Sequence, residues 1–427
     1  MRKTPLGLAA ALLLGSALSL AAFDFGGTLD NSTTLTYAGN LIFLQEDKLA
    51  LWLEAPLGKA LTLSLQGSYT YSSERPYLFD VDLLRLDGGF PLGGARSLLL
   101  SFSAGRFPLA DFSRLVLDDT VDGLELRLGS ARINARLAAA YTGLELAPVS
   151  TVSMSWADLN STSMLAPPRL VELLQIQWVE LFKRQDLLVS LLAQQDLRGQ
   201  AGLLQEGETV EVAGAGGRLS TEYLGLALRG PLSTGLYYDV FAYLGTGRTL
   251  SYIDGVYDYA WLVSVLAGGG VRYFRPDWRD SRAELRLLFA GGDSDYDASF
   301  IEGNRGGLAT TFVTISQPEL ALLFSPRLGN LALLSASYSL KPLAMLQTAL
   351  SATLFLRPTT GPISDSRVDP ASDARYLGAE IDAAARLRPF SDLGAALSLG
   401  LFLPGTAFRA ENRDPQFRGR LEISLSF

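Results

Sequence analysis

Ten residues, Arg418 to Phe427, restrict the fold of this 427-residue chain more than any other stretch. Leu421, Ile423, Leu425 and Phe427 share one parity, and Arg418, Arg420, Glu422, Ser424 and Ser426 share the other. Successive side chains of a strand point to opposite faces, so as a strand this segment has one wholly apolar face and one charged face. The same alternation recurs along the chain in segments of about ten residues, separated by Gly, Pro, Asp and Ser. Leu49, Leu51, Leu53, Ala55 and Leu57 form one such set, and Leu61, Leu63, Leu65, Gly67, Tyr69 and Tyr71 another.

Residues 1–22 read differently. Arg2 and Lys3 precede an apolar run from Leu6 to Leu20, and Ala21-Ala22 offers small residues for cleavage. That is the pattern of a secretory signal, with a mature chain from residue 23 to 427. Removing Arg2 and Lys3 takes the net charge from −8 to −10. Beyond the signal, the longest uncharged stretch is Leu393 to Phe408, interrupted by Gly394, Gly400, Pro404 and Gly405. A membrane helix needs about 20 largely apolar residues, so none is predicted. Yet 48% of the residues are hydrophobic and only 19% charged. An exported chain of that composition buries a large core or faces lipid. The strand architecture that faces lipid is a closed barrel, because every backbone group must be paired inside the membrane.

Segment lengths give the count. Strands are expected near 27–37, 49–57, 61–71, 78–90, 97–105, 123–129, 132–141, 169–181, 185–194, 218–229, 236–245, 257–274, 281–289, 331–340, 345–357, 375–388, 393–403 and 418–427. A further candidate, Glu319 to Phe324, is bounded by Pro318 and Pro326. Short periplasmic turns and longer outer loops alternate throughout only if that stretch belongs to an outer loop, and such barrels have even strand numbers. The expected fold is therefore an all-β, antiparallel up-and-down transmembrane barrel of eighteen strands, with sixteen as the alternative. A secreted β-sandwich, a β-helix or a multidomain β protein is the competing architecture.

The chain has no Cys and no His. Disulfides, thiolate metal sites, Ser-His-Asp hydrolysis and His-ligated zinc are thereby removed, and no enzyme activity or cofactor is expected. Parity assigns a charged inner wall instead. Glu125 and Arg127 oppose Leu124, Leu126 and Leu128; Arg132, Asn134 and Arg136 oppose Ile133, Ala135 and Leu137. Arg282, Glu284 and Arg286 oppose Ala283, Leu285 and Leu287; Glu380, Asp382 and Arg386 oppose Leu377, Ala379 and Ile381. With Arg418, Arg420 and Glu422 these are the expected pore-lining residues. A Lys or Arg facing lipid at the midplane costs roughly 2–4 kcal/mol, which sets their direction. Of the 36 basic residues only Lys3, Lys48, Lys59, Lys183 and Lys341 are Lys. Two roles compete for the Arg residues: salt bridges that stiffen the wall, or a track for anionic solutes that uses the guanidinium fork. Asp293, Asp295 and Asp297 form a D-x-D-x-D run that raises calcium. Ala298 stands where an EF-hand needs Gly, and Asn304 where it needs Glu. No metal site is assigned.

Two stretches resemble the alginate-export family of outer-membrane barrels. One is Arg375 to Asp382 followed by Arg388-Pro389-Phe390 and Leu401 to Gly405; the other is Asp119 to Arg127. The final strand ending in Phe427 resembles the closing strand that the barrel-assembly machinery of diderm bacteria reads. The resemblance implies an eighteen-stranded monomeric barrel in the outer membrane with an Arg-rich lumen conducting a polyanionic polysaccharide. The mature chain is acidic overall, so only the architecture is carried over. Expected partners are outer-membrane lipid, the assembly machinery and small polar or anionic solutes, with no nucleic acid. The leading function is a passive channel in which loop 290–330 folds inward as a constriction. A structural or surface-interaction barrel, its lumen closed and loops 142–168 and 195–217 binding a partner, is the second.

Overall fold

The computed structural model describes residues 23–92, 98–200, 203–212, 216–294 and 307–427. The signal-peptide residues, Asp295 and Asp297 lie outside this set. Eighteen long strands run in sequence: β1 Asp24–Ala38, β2 Asn40–Leu57, β3 Leu61–Ser72, β4 Leu78–Leu92, β5 Leu98–Ala110, β6 Asp118–Gly129, β7 Ile133–Tyr141, β8 Arg169–Phe182 and β9 Gln185–Asp196. The second half comprises β10 Ser220–Ser233, β11 Leu236–Ile253, β12 Val256–Arg275, β13 Ser281–Ala290, β14 Leu331–Leu343, β15 Leu346–Leu356, β16 Tyr376–Leu387, β17 Leu393–Pro404 and β18 Gln416–Ser426. Each pairs antiparallel with the next, β13 joins β14 directly, and β18 closes on β1. A two-residue strand, Leu308–Ala309, runs parallel to β12 within the connection after β13. Glu319 to Phe324 is not a strand. The closed eighteen-stranded barrel matches the expectation.

The alternation sorts exterior from interior. Leu124, Leu126 and Leu128 are 46%, 36% and 37% exposed on the outer face, while Glu125 between them is fully buried. Leu421, Ile423 and Leu425 continue the exposed apolar band on the last strand. Tyr273 and Phe427 lie at its periplasmic end, and Trp261, Tyr71 and Phe79 at its outer end. This is the aromatic girdle pattern of an outer-membrane barrel.

Three outer connections are shorter than expected; between β5 and β6 the loop is 111–117 rather than 106–122. Segments 38–48 and 246–256 were expected as loops, but β1–β2 turns at Gly39 and β11–β12 at Asp254-Gly255. Gly39, Asp254 and Gly255 have φ of 81°, 51° and 86°, the left-handed conformation a tight hairpin requires. Above the wall the ribbons have no single lipid-facing side, so the alternation that marks the strands below is blurred. At β11–β12, Tyr257 exchanges backbone hydrogen bonds with Gly207 and Glu208 of the preceding loop.

The largest apolar cluster lies inside the barrel, toward its outer end. Wall residues Phe107, Val121, Tyr243, Leu266, Phe355 and Phe402 pack against Leu117, Met154, Phe312, Ile315, Phe324 and Phe408 of the outer connections. The lumen is therefore partly filled by loops.

Candidate pore lumen

Three connections meet inside the wall. The short one, 111–117, is folded around Asp111, whose carboxylate accepts hydrogen bonds from Ser113 N (2.7 Å) and Leu117 N (2.8 Å). Tyr243 on the wall of β11 donates its hydroxyl to the same carboxylate at 2.6 Å. Segment 307–330 then pairs with it: Ile315 N donates to Val116 O at 2.9 Å, and Tyr223 Oη donates to Val313 O at 2.7 Å. Loop 142–168 joins through Gln317 N to Thr151 O, 3.0 Å, and through the Arg327 guanidinium, which bonds the carbonyl and hydroxyl of Ser153. The expectation that the connection after β13 folds inward holds for its described part.

The tip of that segment is latched to the opposite wall. Glu380 of β16 is fully buried, and its two oxygens accept the amides of Leu323 (2.6 Å) and Phe324 (2.8 Å). Arg418 of β18 donates to Leu322 O and, at 3.1 Å, to Thr36 Oγ1. Phe324 stacks on Phe402 at 4.6 Å and meets Phe355 edge-on at 4.9 Å. Loop 142–168 has its own anchor: Asp158 in the helical turn Trp156–Leu159 bonds Arg169 at 2.5 Å and lies 3.2 Å from Arg198. Although burial pulls the Asp158 carboxyl up, Arg169, Arg198 and the amides of Met154 and Ser155 hold it below its ordinary value.

Most of the expected wall residues are inward by register. Arg286, Ser335, Thr353, Glu380, Phe402 and Gln416 form one cross-strand row, and Glu284, Ser337, Ser351, Asp382, Gly400, Arg418 and Thr36 the next. Arg282 and Arg420 lie one row further toward the periplasm, and Arg386 and Glu422 one beyond that. Small side chains between these charges leave space. Arg132 is the exception, placed in the turn before β7 rather than on the wall, because that strand begins at Ile133. Asn134 sits beside it at the periplasmic edge, opposite Gly129 and Gln177. Asp293, the one described member of the D-x-D-x-D run, is buried and accepts the amide of Thr310 at 3.0 Å, so it staples a loop.

Charge pairing differs around the wall. From β2 to β7 each inward cation has a carboxylate: Lys48 with Asp82 (3.3 Å), Arg85 with Asp87 (2.6 Å), and both Arg127 and Arg136 with Glu125. From β13 to β18 Arg282 pairs with Glu284, and Arg420 lies 4.0 Å from Glu422. Arg286, Arg386 and Arg388 have no carboxylate partner among the described residues. Arg386 and Arg388 line a cavity of about 760 Å³ on the periplasmic side of the latch, shared with Lys341, Glu46, Lys48 and Glu422.

No protein-family model matches the chain, and no curated protein does. Solved structures do. The outer-membrane protein OpdK of Pseudomonas aeruginosa superposes with a TM-score of 0.57 at 11% identity, covering 95% of this chain and 98% of that one. The fold is that of the outer-membrane porins. OpdL of the same organism gives 0.57 at 12% identity, and OccK2 (OpdF), solved with glucuronate, 0.55 at 12%, each covering 95% of this chain and 98% of its own. These neighbours support the porin architecture, and the alginate-export resemblance finds no support among them.

Sequence reasoning missed the loop machinery. Asp111, Tyr243, Asp158, Arg169, Arg327 and Phe324 bring together residues from distant parts of the chain, and no local period marks them. The two prolines that bound 318–326 were the one legible sign of an inserted segment.

Proposed function

We propose that this chain is a passive outer-membrane channel for small polar solutes, with a preference for anions. The observation that carries the reading is the asymmetry of the lumen wall. Basic groups are paired with carboxylates on the β2–β7 side, whereas Arg286, on β13 at the level of the latch, and Arg386 and Arg388, at the vestibule, make no ion pair among the described residues. A dissolved carboxylate meets a planar, permanently charged donor there. Salt-bridged stiffening and anion guidance thus occupy different arcs of one wall. The glucuronate held by OccK2 is a solute of this chemical class. The mature chain is taken to begin near Phe23, after the signal, and no reaction is assigned to it. Phe427 supplies the terminal aromatic for the assembly machinery. Its backbone pairs with Gly27, and its side chain is 69% exposed.

The test is single-channel conductance of the refolded mature protein in planar bilayers, with selectivity from reversal potentials. Discrete steps with anion preference are expected. Arg386→Ala and Arg286→Ala should each lower the anion/cation permeability ratio about two- to fivefold, the ~0.5–1 kcal/mol of a partly solvated ion contact. Arg127→Ala should change it less, because Glu125 already holds that charge. A folded, heat-modifiable barrel that never conducts sinks this reading. It would favour the surface-interaction barrel, for which the apolar loop cluster inside the lumen is the supporting observation.

A further inference from the structure

The outward face of the barrel carries two carboxylates where the alternation calls for apolar residues. Glu172 of β8 and Glu222 of β10 share parity with Leu174 and with Leu224 and Leu226, all exposed on the lipid side. They belong to one cross-strand row, Ala139, Glu172, Ala193, Glu222 and Thr246, in which small side chains alternate with the two acids. The next row toward the outer end holds Tyr141, Leu170 and Gln195, then Ser220, Arg248 and Trp261, the composition of a membrane interface. The carboxylates therefore sit one residue pair, about 6–7 Å along the strand, inside that interface. Toward the midplane the row gives way to Leu137, Leu174, Leu191, Leu224 and Leu244, which wall an exterior groove of about 540 Å³ floored at Ala193.

Neither acid is neutralised by the chain. Glu222 accepts a hydrogen bond from Thr246 Oγ1 at 3.2 Å, and Glu172 has no partner among the described residues. Arg248, in the row above, is stacked on Trp261 at 5.0 Å. Two carboxylates carried on strands about 10 Å apart, two strand spacings, flank a narrow apolar trough that opens onto the bilayer. The occupant that complements it has a cation at the level of the acids and hydrocarbon below.

We propose that this groove binds a two-chain lipid whose headgroup ends in a primary ammonium. One acyl chain lies over Ala193 between the leucines, and the ammonium donates a charge-assisted bond to one of the two carboxylates, Glu172 or Glu222, while the other adds its field. A quaternary headgroup has no N–H to donate, and an anionic one is repelled. The site is on the opposite side of the wall from the lumen, so it is independent of what the channel conducts.

The test is native mass spectrometry of the full mature barrel, counting lipids retained from mixed micelles of phosphatidylethanolamine, phosphatidylcholine and phosphatidylglycerol with identical acyl chains, with and without EDTA. Retention of one phosphatidylethanolamine at least about tenfold above the other two, unchanged by EDTA, is expected from a single charge-assisted bond. Glu172→Gln with Glu222→Gln should abolish the preference while heat-modifiability and conductance persist. Ala193→Leu, which fills the floor and keeps both charges, should lower total retention. Equal retention of the three lipids overturns the proposal. So does phosphatidylglycerol retention that needs a divalent cation, which would make the acids a metal bridge. A concentration-dependent dimer lost in the double variant also overturns it, because the groove would then seat a second copy.

Discussion

Glu145 shows how much a single buried carboxyl controls in this lumen. It lies in loop 142–168 beside Asp119, with one oxygen buried and without a hydrogen-bond partner. Asp119 receives the Ser150 hydroxyl at 2.7 Å and the Thr151 amide at 3.2 Å, so it holds the loop where it meets the wall, with Glu145 beside it. Burial, and then the charge of Asp119, push the Glu145 carboxyl from 4.5 up to about 8, with Asp80 adding to the rise. Because the folded value lies above the ordinary one, the native loop keeps a proton that the free loop loses. The anchoring is full below the ordinary value and is lost as pH rises through the folded one. Between about pH 5 and pH 9 the protection factor of the Thr151 amide, its exchange rate corrected for base catalysis, should therefore fall. Glu145→Gln should flatten that dependence, and an unchanged profile would show that the carboxyl stays charged in the native loop.

At the scale of elements, strands and loops differ in how plainly the sequence announces them. A lipid-facing strand is written in two-residue steps, since most outward positions are apolar, and all eighteen were legible for that reason. Their ends were less so: β5 runs on to Ala110 and β6 starts at Asp118, where inward neighbours such as Leu109 and Leu117 are as apolar as outward ones. The same parity puts the expected wall residues on inward positions of the register, except Arg132, whose place depended on one residue of strand boundary. Nothing comparable marks a loop that fills a lumen, because its contacts are set by distant walls. The segment 307–330 depends on few of them. Glu380→Ala removes the acceptor of two amides at its tip, a loss of about 1–3 kcal/mol. Larger or noisier single-channel steps with an unchanged melting temperature are expected. A conductance equal to wild type would show that Arg418 and the Phe324 packing suffice.

For the whole molecule, the decisive contact is the seam between β1 and β18. Gly27 exchanges backbone hydrogen bonds with Phe427 at 2.9 and 3.0 Å. A Cβ at Gly27 would stand 2.6 Å from the Phe427 ring, so a side chain here displaces the terminal aromatic from its resting place. Gly27→Val should lower the yield of heat-modifiable barrel in a refolding assay, and removing Phe427 as well should restore part of it. If Gly27→Val refolds like wild type, the ring has another resting place. The seam also dictates timing. Its partners, Thr28 with Ser426 and Tyr37 with Phe417, are separated by almost the full polypeptide. Contacts of such sequence separation form late, since the ends must first be brought together. A fragment without β18 therefore cannot close, and β1 stays without one neighbour until that strand arrives. Until it closes, the chain leaves its leucine-rich face open to water, so escort and speed, rather than final stability, become the conditions of its survival.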